Sequence, residues 1–161
     1  MSRPAIDVYL APGELLVSTR GVQVRTVLGS CVAVCLWDPA RGIGGLNHFL
    51  LPRPGARDGT DFRFGTVSTA ALVQRVCRGG SRPAELAAAV IGGGHPHRAL
   101  KSTVGDENVA AALAVLGEHG VVVARQDTGG PYGRRLLFHT GTGVLTVCRL
   151  RRWGAVAVEP A

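Results

Sequence analysis

The chain is poor in aromatic residues: Phe, Tyr and Trp together make up 5% of its 161 positions. That scarcity removes the stacking platforms on which single-stranded nucleic acid is usually held, and no aromatic-rich strand of an RNA-binding sheet is present. Lysine is nearly missing as well. Seventeen of the eighteen basic residues are Arg, scattered apart from a short RLRR at 149–152. The formal net charge of +7 favours acidic partners, but the scatter reads as a solvated surface, and no nucleic-acid partner is expected. No apolar run approaches the ~20 residues that cross a bilayer, so membrane insertion is not expected. The opening MSRPAIDVYLAPGE lacks the apolar core and small-residue cleavage site of a signal peptide. The expected location is the cytoplasm.

Cysteine is sparse and widely spaced. Cys31, Cys35, Cys77 and Cys148 form no CxxC pair, whereas zinc sites usually show close Cys or His pairs, and a cytosolic chain seldom uses disulfides. Neither metal nor other cofactor is expected. Cys35, Cys77 and Cys148 read as small buried apolar residues. His95 and His97 flank Pro96 and resemble part of a metal site. With no acidic or Cys neighbour they read as a solvated loop. The IGGG at 91–94 lacks the spaced Gly-Lys-Ser/Thr of a phosphate cradle.

What is present is a globular composition, 46% hydrophobic and 18% charged. The length suits one domain with a sizeable core. We expect a single domain over 1–161, its core at about 5–152, with a flexible C-terminal tail. Short strands are expected at 6–10, 14–18 and 22–27. Apolar spacing predicts a helix over 66–77, capped by Thr66 or Ser68 and ended by Gly79-Gly80. A buried strand follows at 86–91. A second helix should start near Asp106, whose charge and that of Glu107 suit the positive helix end. A strand at 121–125 leads to the turn DTGG, and a final hairpin spans 135–139 and 144–149. The sum is about eight strands and two helices in one α/β domain. The polar loop 53–65 is the longest, and long loops in compact domains are often functional.

The most informative stretch runs from Thr26 to Pro52, TVLGSCVAVCLWDPARGIGGLNHFLLP. Two apolar runs flank Asp38-Pro39-Ala40-Arg41, a strong turn signal. With those four residues as the loop, Trp37 pairs with Gly42 and Cys31 lies opposite His48. Opposed residues share a face with Cβ atoms ~5 Å apart, so the imidazole can take the thiol proton. A thiol attacks only as thiolate. His48 would act as base and then protonate the leaving group. Gly29 and Ser30 precede the cysteine in a turn that can expose N–H groups of Ser30 and Cys31 to a tetrahedral oxyanion. Read without chemistry, Cys31, Ala33, Cys35 and Trp37 are one core face of a strand, and His48 is a satisfied histidine between Leu46 and Leu50.

LGSCVAVCLWD, followed by IGGLNHFLLP, resembles the CheD family of chemoreceptor glutamine deamidases. VGDENV at 104–109, DTGG at 127–130 with Arg134 nearby, and TGTGVLTV at 140–147 fall in the family's order. The resemblance implies a cysteine hydrolase that converts receptor glutamine to glutamate and ammonia, with Cys31 as nucleophile and His48 as base. It also implies a sandwich of mixed or antiparallel sheet with two main helices, similar to cytotoxic necrotizing factor-type cysteine hydrolases. Gly93, Gly94 and Gly129 would line the cleft. The implied partners are the cytoplasmic helices of methyl-accepting chemotaxis receptors and, in systems that contain one, the CheC phosphatase. The family's third catalytic residue is a threonine that can lie six positions before the cysteine. Here that position is Arg25, and Thr26 follows. By strict alternation Arg25 shares the face of Cys31 and Thr26 does not, so Thr26 would serve only after a one-residue shift. The same departure leaves a second reading open, a catalytically weak adaptor that binds chemoreceptors or a CheC-type phosphatase. Esterase action on methylated glutamates would use the same parts.

Overall fold

The computed structural model describes residues 6–56, 59–96 and 102–150, together with the backbone of 159–160. The described residues form ten strands and two α-helices, in the order β1 (Ile6–Tyr9), β2 (Leu15–Ser18), β3 (Val22–Leu28), β4 (Val32–Asp38), β5 (Ile43–Asn47), α1 (Gly65–Cys77), β6 (Ala87–Gly92), α2 (Val104–Glu118), β7 (Val122–Thr128), β8 (Gly133–His139), β9 (Leu145–Leu150) and β10 (Glu159–Pro160). They form two five-stranded mixed sheets. The first has the order β1-β3-β8-β9-β10 and the second β2-β5-β4-β6-β7. Both helices pack on the second sheet, α1 against β2, β4 and β5, α2 against β4, β6 and β7. The result is a three-layer α/β sandwich: sheet, sheet, helices.

Strand composition follows from this layering. β4 reads VAVCLWD and is buried on both faces, as expected of a central strand covered on each side. Val32, Val34 and Leu36 join the helix-side core. Ala33 and Cys35 join the core between the sheets, with Val24, Leu28, Leu136 and Phe138 from the first sheet. β3 belongs to an outer layer and alternates, its even positions inward.

The β4–β5 hairpin forms, with a different register from the one expected. Trp37 pairs with Gly44 and Asp38 with Ile43, so the loop is 39–42 and the pairing moves by two residues. Asp38 is the cause. Its Oδ1 accepts the N–H groups of Ala40 (2.9 Å) and Arg41 (3.2 Å). The Gly42 N–H closes on the Asp38 carbonyl at 2.9 Å, and Gly42 takes φ +65. Asp38 therefore stays in the ladder and organises the turn from its edge. A two-residue displacement preserves faces.

Neither predicted cap forms on α1. The helix starts at Gly65 with Phe64 as N-cap and no side-chain cap bond. Its first N–H groups donate instead to the carbonyls of Leu51 (2.8 Å) and Pro52 (3.0 Å). The base of the long loop thus satisfies the donors a side-chain cap would otherwise meet. α2 begins at Val104, two residues early, with Asp106 and Glu107 in its first turn. All four cysteines are free; Cys35 is buried, whereas Cys77 and Cys148 are half-buried rather than core residues. No described helix is long and apolar enough to cross a membrane.

Candidate active site

Thr26 reaches the site from the first sheet. Val22, Val24, Thr26 and Leu28 point inward, while Arg25 is exposed and pairs with Asp7 at 3.3 Å. Arg25 therefore does not share a face with Cys31, as alternation along a single strand 25–31 would require, because β3 lies in the first sheet and β4 in the second. The chain changes layers at Gly29-Ser30-Cys31, and the change resets the parity.

His48 is buried, 1% exposed. Its N–H donates to the Glu14 carbonyl (3.1 Å) and its carbonyl accepts the Gly13 N–H (2.8 Å). Across the gap between the sheets, the ring Nδ1 lies 2.8 Å from Thr26 Oγ1. That hydroxyl also donates to the Leu10 carbonyl at 2.7 Å. A carbonyl only accepts, so the single hydroxyl hydrogen is committed to Leu10, and Thr26 Oγ1 must accept from Nδ1–H. The network thereby assigns the neutral tautomer with a bare lone pair on Nε2. Nε2 is buried and has no hydrogen-bond partner among the described residues. His48 is thus not the satisfied core histidine of the chemistry-free reading. Burial pushes its pKa down to about 4, against smaller opposing effects of the Leu10 carbonyl and Glu14.

The bridge Val32↔Phe49 carries the hairpin register to this end of the sheet. Cys31 then lies opposite Leu50, and His48 opposite Ala33. Cys31 and His48 remain on one face as diagonal neighbours, a relation that spans ~7–8 Å between Cα atoms. They are not directly opposed, and no Cys31–His48 hydrogen bond forms. Contacts of this kind are often long before substrate binds. Cys31 is half-buried. Desolvation raises its thiol pKa, with its own backbone N–H acting in the lowering direction. The resting pair at neutral pH is therefore thiol and neutral imidazole.

Glycine-rich segments gather around the cysteine. Gly93 N–H donates to the Cys31 carbonyl (2.9 Å) and Gly94 N–H to the Gly29 carbonyl (3.0 Å). Gly129 N–H donates to the Gly92 carbonyl (3.0 Å) and His95 N–H to the Gly130 carbonyl (2.7 Å). Gly92 takes φ +111, and a Cβ there would collide with the Cys31 carbonyl oxygen. Gly29, Ser30, Gly93, Gly94 and Gly129 are thus brought together at the end of the strands. Leu50 and Leu51, at the base of the long loop, bond to Arg63 and flank the same end.

Of three further parts of this assembly, sequence reading missed the Leu10 carbonyl, did not single out Asn108, and named Arg134 beside DTGG without a role. The Leu10 carbonyl carries no side-chain signal at all. Asn108 is fully buried, and its Nδ2 donates to the Ser30 (3.1 Å) and Leu50 (2.9 Å) carbonyls. It stands in the VGDENV motif, where a polar residue on the apolar face of a helix was the available sign. Arg134 is buried with Asp127 (3.0 Å) and donates to the Gly129 carbonyl (2.8 Å). It pins the DTGG turn, whose glycines both take positive φ. His95 is not without an acidic neighbour, since α2 sets Asp106 Oδ1 at 3.0 Å from its Nε2. His97 lies outside the described residues, among which no group of three or more acidic, His or Cys side chains could hold a metal.

The family model described as CheD chemotactic sensory transduction matches residues 50–149, a span that begins just after His48. Curated relatives extend the likeness over most of the chain. A probable chemoreceptor glutamine deamidase CheD 1 of Anaeromyxobacter dehalogenans is 46% identical over 89% of this chain and 85% of its own. Probable chemoreceptor glutamine deamidases CheD of Trichlorobacter lovleyi (36% identical, covering 91% and 92%) and a Caulobacter species (43%, covering 88% and 77%) are also similar. Among solved structures, the Bacillus licheniformis hypothetical protein YfiH superposes with a TM-score of 0.51 at 16% identity, over 73% of this chain. The superposition spans about half of YfiH's own length, 51%, and supports the α/β fold alone. From the match over residues 50–149 and the relatives at up to 46% identity, the chain belongs to the CheD family.

Proposed function

We propose that this protein is a protein-glutamine deamidase that acts in the cytoplasm on the helices of methyl-accepting chemotaxis receptors. Supporting this are the activity for which the relatives are named and, above all, one observation of the site. His48 is held by Thr26 in the tautomer that leaves Nε2 free on the face shared with Cys31.

In this reading Cys31 Sγ attacks the carboxamide carbon of a receptor glutamine while its proton passes to His48 Nε2. The electron pair of the C=O bond moves to oxygen, and N–H groups of Cys31 and Ser30 stabilise that oxyanion. The tetrahedral adduct collapses as the imidazolium gives its proton to the amide nitrogen, and ammonia leaves a thioester. Water then gives a proton to Nε2 and attacks the thioester carbon. Glutamate departs as the proton returns to sulfur. Because both partners rest uncharged, proton transfer accompanies attack rather than preceding it.

The test is mass spectrometry of receptor cytoplasmic fragments incubated with the protein. Wild type should convert specific amides to acids, and Cys31→Ala and His48→Ala should not. Conversion that survives Cys31→Ala would overturn the proposal. The adaptor reading was motivated by Arg25, which faces outward. Capture of receptor fragments or of a CheC-type phosphatase without any deamidation by wild type would favour it.

A further inference from the structure

We propose that Asn108 is a positioning residue that aims the Cys31 N–H at the oxyanion of the reaction above, an inference that rests on that reading of the site. Asn108 lies near the N-terminus of α2 and is fully buried. Its amide nitrogen reaches two carbonyls at once, Ser30 at 3.1 Å and Leu50 at 2.9 Å. Two acceptors require both hydrogens of the NH₂ group, which fixes the amide's orientation. The helix that delivers it is rigidly seated. A Cβ on Gly105 would stand 2.5 Å from the Gly93 carbonyl oxygen, so α2 and the strand end meet backbone to backbone.

The Ser30–Cys31 peptide is trans, as are all described peptide bonds. In a trans peptide the C=O and N–H point in opposite directions. Holding the Ser30 carbonyl on the helix side therefore turns the Cys31 N–H to the other side. That N–H meets the Cys31 sulfur there, beside the position an oxyanion takes once sulfur has bonded to carbon. Without Asn108 nothing else among the described residues bonds the Ser30 carbonyl, so this peptide alone would turn about the Ser30 ψ and Cys31 φ bonds while its neighbours stay held by Gly93 and Gly94. His48 does not depend on this contact, being held by Thr26, Gly13 and Glu14. Turning the Cys31 N–H away also removes its contact with sulfur, which lowers the thiol pKa, but with His48 in place thiol activation falls less than oxyanion stabilisation.

The experiment compares wild type, Asn108→Ala and Asn108→Leu in ammonia release from receptor fragments and in alkylation of Cys31 by iodoacetamide at neutral pH. With the oxyanion donor misdirected, kcat should fall by about 100-fold, the low end of the loss of one such donor, with KM little changed and the alkylation rate falling by a much smaller factor. Asn108→Leu fills the same space without a buried charge or a donor and is the arm to read if the alanine variant does not fold. An undiminished kcat in a folded variant, or an alkylation rate that falls by the same factor as kcat, would overturn the inference. Cys31→Ala separates the two levels: if it retains turnover the site reading itself fails, whereas if it is inactive beside a fully active Asn108→Ala only the positioning role does.

Discussion

In the proposed reaction His48 serves as a base only while uncharged, and its surroundings keep it so. Its pKa of about 4 against the ordinary 6.5 comes chiefly from burial. The expected kcat/KM profile is flat as pH drops through 6.5 and declines only toward 4; a decline centred at the ordinary value would show a solvated ring. The same shift ties pH to folding. Between 6.5 and about 4 the unfolded chain binds the proton and the folded chain does not. The stability contributed by this residue is complete above 6.5 and is lost as pH falls toward 4, to an extent of about 3 kcal/mol. Urea denaturation across that range should show the loss, and His48→Gln should flatten it. Thr26→Val keeps the shape of the side chain but removes the oxygen that orders the ring. Turnover should drop by about 100-fold, and stability by about 1–3 kcal/mol for the unpaired groups left behind. Cys31 and His48 were legible in the sequence because a nucleophile and a base on one hairpin face make a recognisable pattern, and the two-residue register error left the face intact. Thr26 was reached only through the family resemblance, because its partner lies in another layer and no periodicity links them.

The strands and helices deliver these residues through their ends. β6 and the DTGG turn close around the cysteine by backbone bonds, and Arg134 fastens the turn from within. Arg134→Ala would strip the buried Asp127 carboxylate and the Gly129 carbonyl of their main partner. Loss of one member of a buried pair costs about 3–5 kcal/mol. Arg149, 3.5 Å from the same carboxylate oxygen, places the expected loss near the lower end, readable as a reduced urea midpoint. Turnover should fall with it, since Gly129 bonds Gly92 beside Cys31. At this scale the apolar spacing and the glycines made most elements legible within a residue or two, but β7 runs three residues past its expected end, through Asp127 and Thr128 of the expected DTGG turn, and β10 was not foreseen. Cap chemistry was not, because Phe64 leaves the capping of α1 to the loop backbone. Register was lost for a related reason, as Asp38 serves both as ladder residue and as turn organiser.

The molecule as a whole is two sheets held face to face, with Cys35 buried between them on the wall of a cavity of about 250 Å³ and Cys31 at their end. Iodoacetamide should reach the two thiols by different routes. Cys31 should react in the native protein at a rate nearly independent of low denaturant. Cys35 should react only through global opening, its rate rising with the slope of equilibrium unfolding. Peptide-level mass spectrometry distinguishes them from the half-buried Cys77 and Cys148, and equal denaturant dependence would contradict the layered core. Which sheet each strand joins was the part of the fold that the sequence did not disclose. β3 and β4 are consecutive in the chain yet lie in different layers, and β3 finds its antiparallel partner in β8, more than a hundred residues on. That long-range pairing has a bearing on biosynthesis. The strand that carries Thr26 lacks its antiparallel neighbour until β8 has left the ribosome, so under the proposed chemistry a nascent chain that has emerged only through the hairpin carries an idle thiol.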